Sequence, residues 1–209
     1  DWGFFNQRLS GTLDFYYRKT TDLLNYAPVM VLSSYRNQAW QNIGDLSNTG
    51  LEATVSWKAI QKKDWFWTID YNFTYNKNKI TNLAGVSKDN SPVANTSITI
   101  GTDKNLEYNQ VGHPANSFYV YQQVYDANGN PIEGAVDRNS DGKITDADRY
   151  FYKNPVAPVT MGLSSRLEYK NWDLGFALRA SIGNYVFNGI EQGFKNVSSN
   201  GIWTLSRLS

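Results

Sequence analysis

Over residues 65–76 the side chains alternate: Trp65, Trp67, Ile69, Tyr71, Phe73 and Tyr75 fall on one face, and Phe66, Thr68, Asp70, Asn72, Thr74 and Asn76 on the other. A period of two marks an extended strand whose two faces meet different surroundings. The pattern recurs. Leu9, Gly11, Leu13, Phe15 and Tyr17 alternate with Ser10, Thr12, Asp14 and Tyr16, and Leu51, Ala53, Val55 and Trp57 with Glu52, Thr54, Ser56 and Lys58. Over 159–170, Val159, Met161, Leu163, Leu167 and Tyr169 oppose Thr160, Gly162, Ser164, Arg166 and Glu168, with Ser165 interrupting the apolar row. Over 172–182, Trp172, Leu174, Phe176, Leu178, Ala180 and Ile182 oppose Asp173, Gly175, Ala177, Arg179 and Ser181. The patterns predict five long strands and an all-β fold.

The links between these strands are unequal. Residues 59–64 and 170–171 make short connections, whereas 19–50 and 77–158 make long ones. Antiparallel strands joined in that alternation place the short turns on one edge of the sheet and the long loops on the other, as outer-membrane barrels do with periplasmic turns and extracellular loops. Residues 65–75, at about 3.3 Å per residue, reach about 33 Å. A tilt near 45° reduces this to about 23 Å, close to the apolar band of about 25 Å expected of such barrels. The competing architecture is a soluble antiparallel sandwich, whose apolar faces turn to a core. Trp65, Trp67, Tyr75, Tyr169 and Trp172, near the strand ends, suit an interfacial girdle or a core equally well.

Composition narrows the choice. Aromatic residues make up 15% of the 209 and charged residues 19%, a balance that favours strands. Twenty basic and 19 acidic side chains give a net charge of +1, which leaves no electrostatic footprint for nucleic acid. Cysteine is absent, so disulfides, thiolate chemistry and Cys-based zinc sites are excluded. No run of 18 apolar residues offers a membrane-spanning helix, but a spanning strand needs only about 9 to 11 residues and escapes that test. The chain starts at Asp1 without a signal-peptide pattern and stops at Leu208 and Ser209 in polar sequence, so both ends are expected to be cuts in a longer protein.

One segment carries local chemistry. Residues 137–148 read DRNSDGKITDAD, placing Asp137, Asn139 and Asp141 at positions 1, 3 and 5 of an EF-hand calcium loop, Gly142 at 6 and Asp148 at 12 in place of the usual Glu. Lys143 would give its backbone carbonyl, Thr145 a hydroxyl or a bridging water, and Ile144 an apolar anchor. The plain alternative is a solvated acidic turn. Upstream, Asn128-Gly129 is a hairpin signal, which places the loop on a structured excursion. His113 is the only histidine and cannot build a multi-His site. Asp14, Asp70, Glu168, Arg166 and Arg179 fall on the polar strand faces, where polar residues are the structural expectation. No Gly-rich phosphate loop or nucleophile elbow points to an enzyme.

Several phrases together resemble the SusC/RagA-type TonB-dependent transporters: GTLDFYYRKTTDLL at 11–24, NIGDLSNTGLE at 42–52, the W.I.YN.TYNKNKI pattern at 67–80, GHPANSFYVY at 112–121 and SIGNYVFN at 181–188. The resemblance covers most of the chain. It implies a transmembrane barrel of about 22 strands in the bacterial outer membrane, with a plug inside, TonB engaged through the N-terminal region, and a SusD-like surface lipoprotein as lid. The imported substrate would be an oligosaccharide or, in some members, a peptide. On this reading residues 1–209 are a fragment of the barrel with an extracellular excursion at about 77–158, and the plug and the barrel C-terminus are absent. A soluble, calcium-stabilised β-domain that binds glycan is the other reading left open.

Overall fold

The computed structural model of the chain describes residues 1–28, 38–83, 89–100 and 104–188. Four strands open it: β1 (Trp2–Phe4), β2 (Leu9–Pro28), β3 (Gln38–Lys62) and β4 (Trp65–Asn82). Six short strands follow, β5 (Val93–Ile100), β6 (Lys104–Asn109), β7 (Ser117–Val120), β8 (Gln123–Tyr125), β9 (Pro131–Ala135) and β10 (Tyr150–Phe151), then two long ones, β11 (Val159–Tyr169) and β12 (Trp172–Ile182). The long strands and the short β1 form one antiparallel sheet in the order β1-β2-β3-β4-β11-β12, so β4 pairs with β11 across the whole excursion.

Residues directly opposite in an antiparallel pair share a face, and the register joins the alternations into rows. Leu13, Ala53, Phe73, Met161 and Ala180 make one row across five strands, and Phe15, Leu51, Tyr75, Val159 and Ile182 the next. The opposite face carries Thr12, Thr54, Asn72, Gly162 and Arg179, then Asp14, Glu52, Thr74, Thr160 and Ser181. A bulge in β3 between Lys58 and Ile60 shifts the register so that Ile60 faces Trp67 and the apolar face continues to the strand end. Ser165, the break in the apolar row, accepts a 2.9 Å hydrogen bond from the Trp67 indole N–H. A hydroxyl among apolar side chains is thereby satisfied by a neighbour.

Two connections are shorter than the sequence implies. β2 and β3 keep pairing as far as Pro28 opposite Gln38, within the stretch expected to be a loop at 19–50, and β4 runs to Asn82 instead of ending at 76. Residues 29–37 of that expected loop lie outside the described residues. Above the apolar band both faces meet water, so the alternation vanishes while the backbone ladder continues. The sheet also gains β1, paired with the start of β2. The tight turns gather at one edge: Lys58 N–H reaches the Arg8 carbonyl at 2.8 Å, and Lys170 N–H the Asp64 carbonyl at 3.0 Å.

Among the described residues, no second layer covers the apolar face. Phe15 is 75% exposed, Leu174 68% and Leu178 61%, whereas a sandwich would bury that face. The buried apolar cluster is instead Ile80, Leu83, Leu106 and Phe118, at the far end of the sheet where the excursion folds back. There Ile80 exchanges backbone hydrogen bonds of 2.9 Å with Gly112 and His113, beyond the last β4–β11 rung.

Candidate functional site

The polar face of the sheet carries the charged residues expected there. Arg166 donates from Nη2 to Asp173 Oδ2 at 2.6 Å and from Nε to Asp173 Oδ1 at 3.1 Å, joining β11 to β12, and is ion-paired with Glu168 on its own strand at 3.1 Å. Ser56 donates to Asp70 at 2.6 Å, and the Thr12 and Thr54 hydroxyls lie 2.8 Å apart. Asp14 sits directly opposite Glu52, an arrangement of like charges that costs stability unless water screens it. Arg179 lies one row away, on β12. These groups make a hydrated wall, and none is gathered into a catalytic arrangement.

The acidic loop is wound by its own side chains. Asp137 accepts from the N–H of Gly142 at 2.7 Å and of Asp141 at 3.3 Å, Asn139 from Asp141 at 3.0 Å, and Asp141 from Lys143 at 2.8 Å. Gly142 adopts φ +80°, the left-handed conformation that the turn at position 6 requires. Asp148 closes the loop from the other end. It is fully buried, and accepts from Thr145 N–H at 2.7 Å, Arg138 N–H at 2.9 Å and Asn139 N–H at 3.4 Å. Thr145 in turn caps the 3₁₀ turn at Asp146–Asp148.

The Thr145 N–H, foremost, holds the Asp148 carboxyl below its ordinary range, aided by Arg138 and Asn139 and opposed by burial. A depressed carboxyl contributes stability above its unfolded pKa and loses it as the pH falls through the folded one. The lysine at position 7 and Ile144 both stand exposed. Among the described residues no group of three or more His, Cys, Asp or Glu side chains is gathered as a metal ion would require. Asp137, Asn139, Asp141 and Asp148 thus share one short loop, with their oxygens turned largely to its own N–H groups.

Arg149 fixes this loop to the rest of the excursion. Its guanidinium packs against the paired Tyr108 and Tyr119 rings, 4.8 and 4.6 Å from their centroids, and donates to the carbonyls of Tyr119 and Asn105. His113 stacks on Phe151 at 4.3 Å, and burial lowers its pKa, so it serves as neutral packing. The hairpin expected at Asn128-Gly129 forms between β8 and β9, with Asp126 accepting from Asn128 at 2.9 Å and Asn130 at 2.8 Å. Sequence reading missed Arg149 and a cavity beside Lys77 and Lys79, because both depend on residues distant in the chain.

No family model matches the chain. Individual proteins do. TonB-dependent receptor SusC of Bacteroides thetaiotaomicron is 46% identical over all of this chain and 21% of its own length. TonB-dependent receptor P3 of Formosa agariphila is 31% identical over 90% of the chain and 20% of its own length. The chain is a segment of a SusC/RagA-type TonB-dependent receptor. Among solved structures, that of the RagAB peptide transporter superposes with a TM-score of 0.65 at 26% identity, over 87% of this chain and 20% of the matched one. The same transporter in a closed-closed state gives 0.66. The segment spans about a fifth of the length of the receptors it matches. Its six-stranded sheet is part of a transmembrane antiparallel barrel, and the excursion between β4 and β11 stands at the edge opposite the tight turns.

Proposed function

We propose that the receptor containing this segment imports a nutrient across the outer membrane, with its apolar face toward lipid and its charged face toward the lumen. The observation that carries the reading is the uncovered apolar face, continuous across the long strands, on a chain 46% identical to SusC. Exposed Leu and Phe in that number and order are costly in water and favourable against acyl chains. The finer reading adds a SusD-like lipoprotein as lid, TonB engaged outside this segment, and an oligosaccharide or peptide as substrate. The likeness to a peptide transporter supports the peptide alternative, and the identity to SusC supports a SusC-like partnership. The intact polypeptide should fractionate with the outer membrane and need detergent for extraction. Recovery of a monodisperse, detergent-free protein would overturn this reading in favour of a soluble glycan-binding β-domain.

The acidic loop has a separate role in this proposal: residues 137–148 bind one calcium ion and order the excursion without taking part in bond-breaking chemistry. Asp137, Asn139, Asp141 and Asp148 would supply side-chain oxygens and Lys143 its carbonyl, the oxygen set a hard cation favours. The support is the spacing, the glycine at position 6 and the winding of Asp137 and Asp148 onto N–H groups of the same loop. Calcium added to the intact receptor should slow proteolysis of the excursion by about tenfold when present at some ten times its Kd. Asp141→Ala should abolish that protection. Absence of calcium-dependent protection in the unmutated receptor would discard the metal site, and protection without any change in transport would leave it purely structural.

A further inference from the structure

The bulge in β3 decides where a lysine points. Strict alternation from Trp57 would put Lys62 on the polar face, but the shift between Lys58 and Ile60 pairs Lys62 with Trp65 and so brings it onto the apolar face. Trp65 lies opposite Tyr169 on β11, and Tyr169 opposite Trp172 on β12. The outermost row of the apolar face at the tight-turn edge is therefore Lys62, Trp65, Tyr169 and Trp172. The next row inward is Ile60, Trp67, Leu167 and Leu174.

The two turns beside this row are tied together. Lys170 donates its N–H to the Asp64 carbonyl, and its Nζ lies 5.2 Å from the centroid of the Tyr169 ring. The Tyr169 ring in turn packs on Trp65 with centroids 4.0 Å apart, so an aromatic pair stands between Lys62 on β3 and Lys170 in the β11–β12 turn. Both lysines are exposed, and among the described residues no carboxylate lies within ion-pair distance of either. Over residues 62–64 and 170–171 the lysines Lys62, Lys63 and Lys170 meet one carboxylate, that of Asp64. Trp172, 79% exposed, ends the row without a covering layer.

We infer that this row binds an acidic phospholipid of the leaflet at the tight-turn edge, with the phosphate between Lys62 and Lys170 and the acyl chains along Trp67, Leu167 and Leu174. The inference rests on the membrane reading above. Lysines at the end of an apolar band keep their stems on it and extend their charge to the headgroups. Indole and phenol rings suit the same level, with the apolar body toward the chains and the polar tip toward water. The excess of cations over carboxylates in the two turns favours a headgroup of net negative charge over a zwitterionic one. Lys58 offers the same charge near the same edge, but it pairs with Thr68 on the polar face, before the bulge.

The test uses the intact receptor in a neutral maltoside detergent, titrated with phosphatidylglycerol that carries a photoreactive diazirine on one acyl chain. Labelling is read on peptic peptides over residues 57–69 and 165–176. Half-maximal labelling should need about thirtyfold more lipid in Lys62→Gln/Lys170→Gln, at roughly fivefold per lysine, and no more than the unmutated amount in Lys62→Arg/Lys170→Arg. Lys58→Gln should leave it unchanged. Equal labelling of the unmutated and double-glutamine forms would overturn the inference, as would a loss from Lys58→Gln equal to that from Lys62→Gln. Phosphatidylcholine with the same diazirine, labelling these peptides at the same concentration, would overturn the choice of an acidic headgroup. Glycerol phosphate that displaces the lipid at equal concentration would overturn the lipid source. A receptor that needs detergent but fails these comparisons loses this inference alone, whereas one that is soluble without detergent loses the membrane reading with it.

Discussion

Ile69→Arg is expected to destabilise the intact receptor by about 2–4 kcal/mol, the cost of a guanidinium near the middle of the bilayer on a lipid-facing strand position. Asn72→Arg, on the opposite face of β4, should cost about 1 kcal/mol or less, since a lumenal side chain stays hydrated. The register fixes both placements. Ile69 shares its row with Trp57 and Ser165, and lies midway along the apolar series from Trp65 to Tyr75. Asn72 shares its row with Thr54, Gly162 and, one strand further, Arg179. The same orientation puts Leu13, Phe15, Tyr71, Phe73, Leu174, Phe176 and Leu178 toward lipid and Asp14, Asp70, Asp173 and Arg179 inward. Reversible unfolding of each variant in lipid vesicles by denaturant measures the difference, and equal costs at Ile69 and Asn72 would sink the assignment of faces.

The parts of this fold that were legible in the sequence are those where the two faces of a strand meet different media. Trp65 to Asn76 reads cleanly because one side meets apolar surroundings and the other water. Residues 19–24 and 44–50 belong to the same two strands, yet they carry polar residues on both faces. Hydrophobic periodicity reports a contrast in environment, while a strand is made by its ladder, so the pattern stops where the contrast stops. The partnership of β4 with β11 was implied only by the length of the connection, because nothing local to Tyr75 or Val159 names its opposite. In the acidic loop the residue types and spacing were visible, and so was the glycine at position 6. What could not be read was the inward turn of Asp148 onto three N–H groups, which depends on how the chain returns after the 3₁₀ turn.

Arg149→Ala should cost the excursion at least about 3 kcal/mol of local stability. Removing the side chain strips the carbonyls of Tyr119 and Asn105 of a donor, each worth about 1–3 kcal/mol when left buried and unsatisfied. It also removes the cation that packs on the Tyr108 and Tyr119 rings, a contact that contributes about 1–2 kcal/mol when desolvated. Arg149 is 8% exposed, so water cannot readily replace what it donates. The same residue follows Asp148 directly, so the fork that holds β6 to β7 is covalently joined to the carboxylate that closes the acidic loop. Loss of the fork should therefore loosen two structures at once: the four-stranded sheet β10-β7-β6-β5 and the loop at 137–148. Arg149→Lys should recover only part of the loss, because an ammonium cannot reach both carbonyls and the Tyr108 hydroxyl in one plane. Hydrogen exchange on the intact receptor, read over residues 104–158, is the direct measurement. Protection there should fall in Arg149→Ala, fall less in Arg149→Lys, and stay unchanged in Lys143→Met, whose side chain is exposed. If Arg149→Ala exchanges no faster than Lys143→Met, the guanidinium is not what couples the loop to the sheet, and the stacked His113 and Phe151 pair becomes the next place to look.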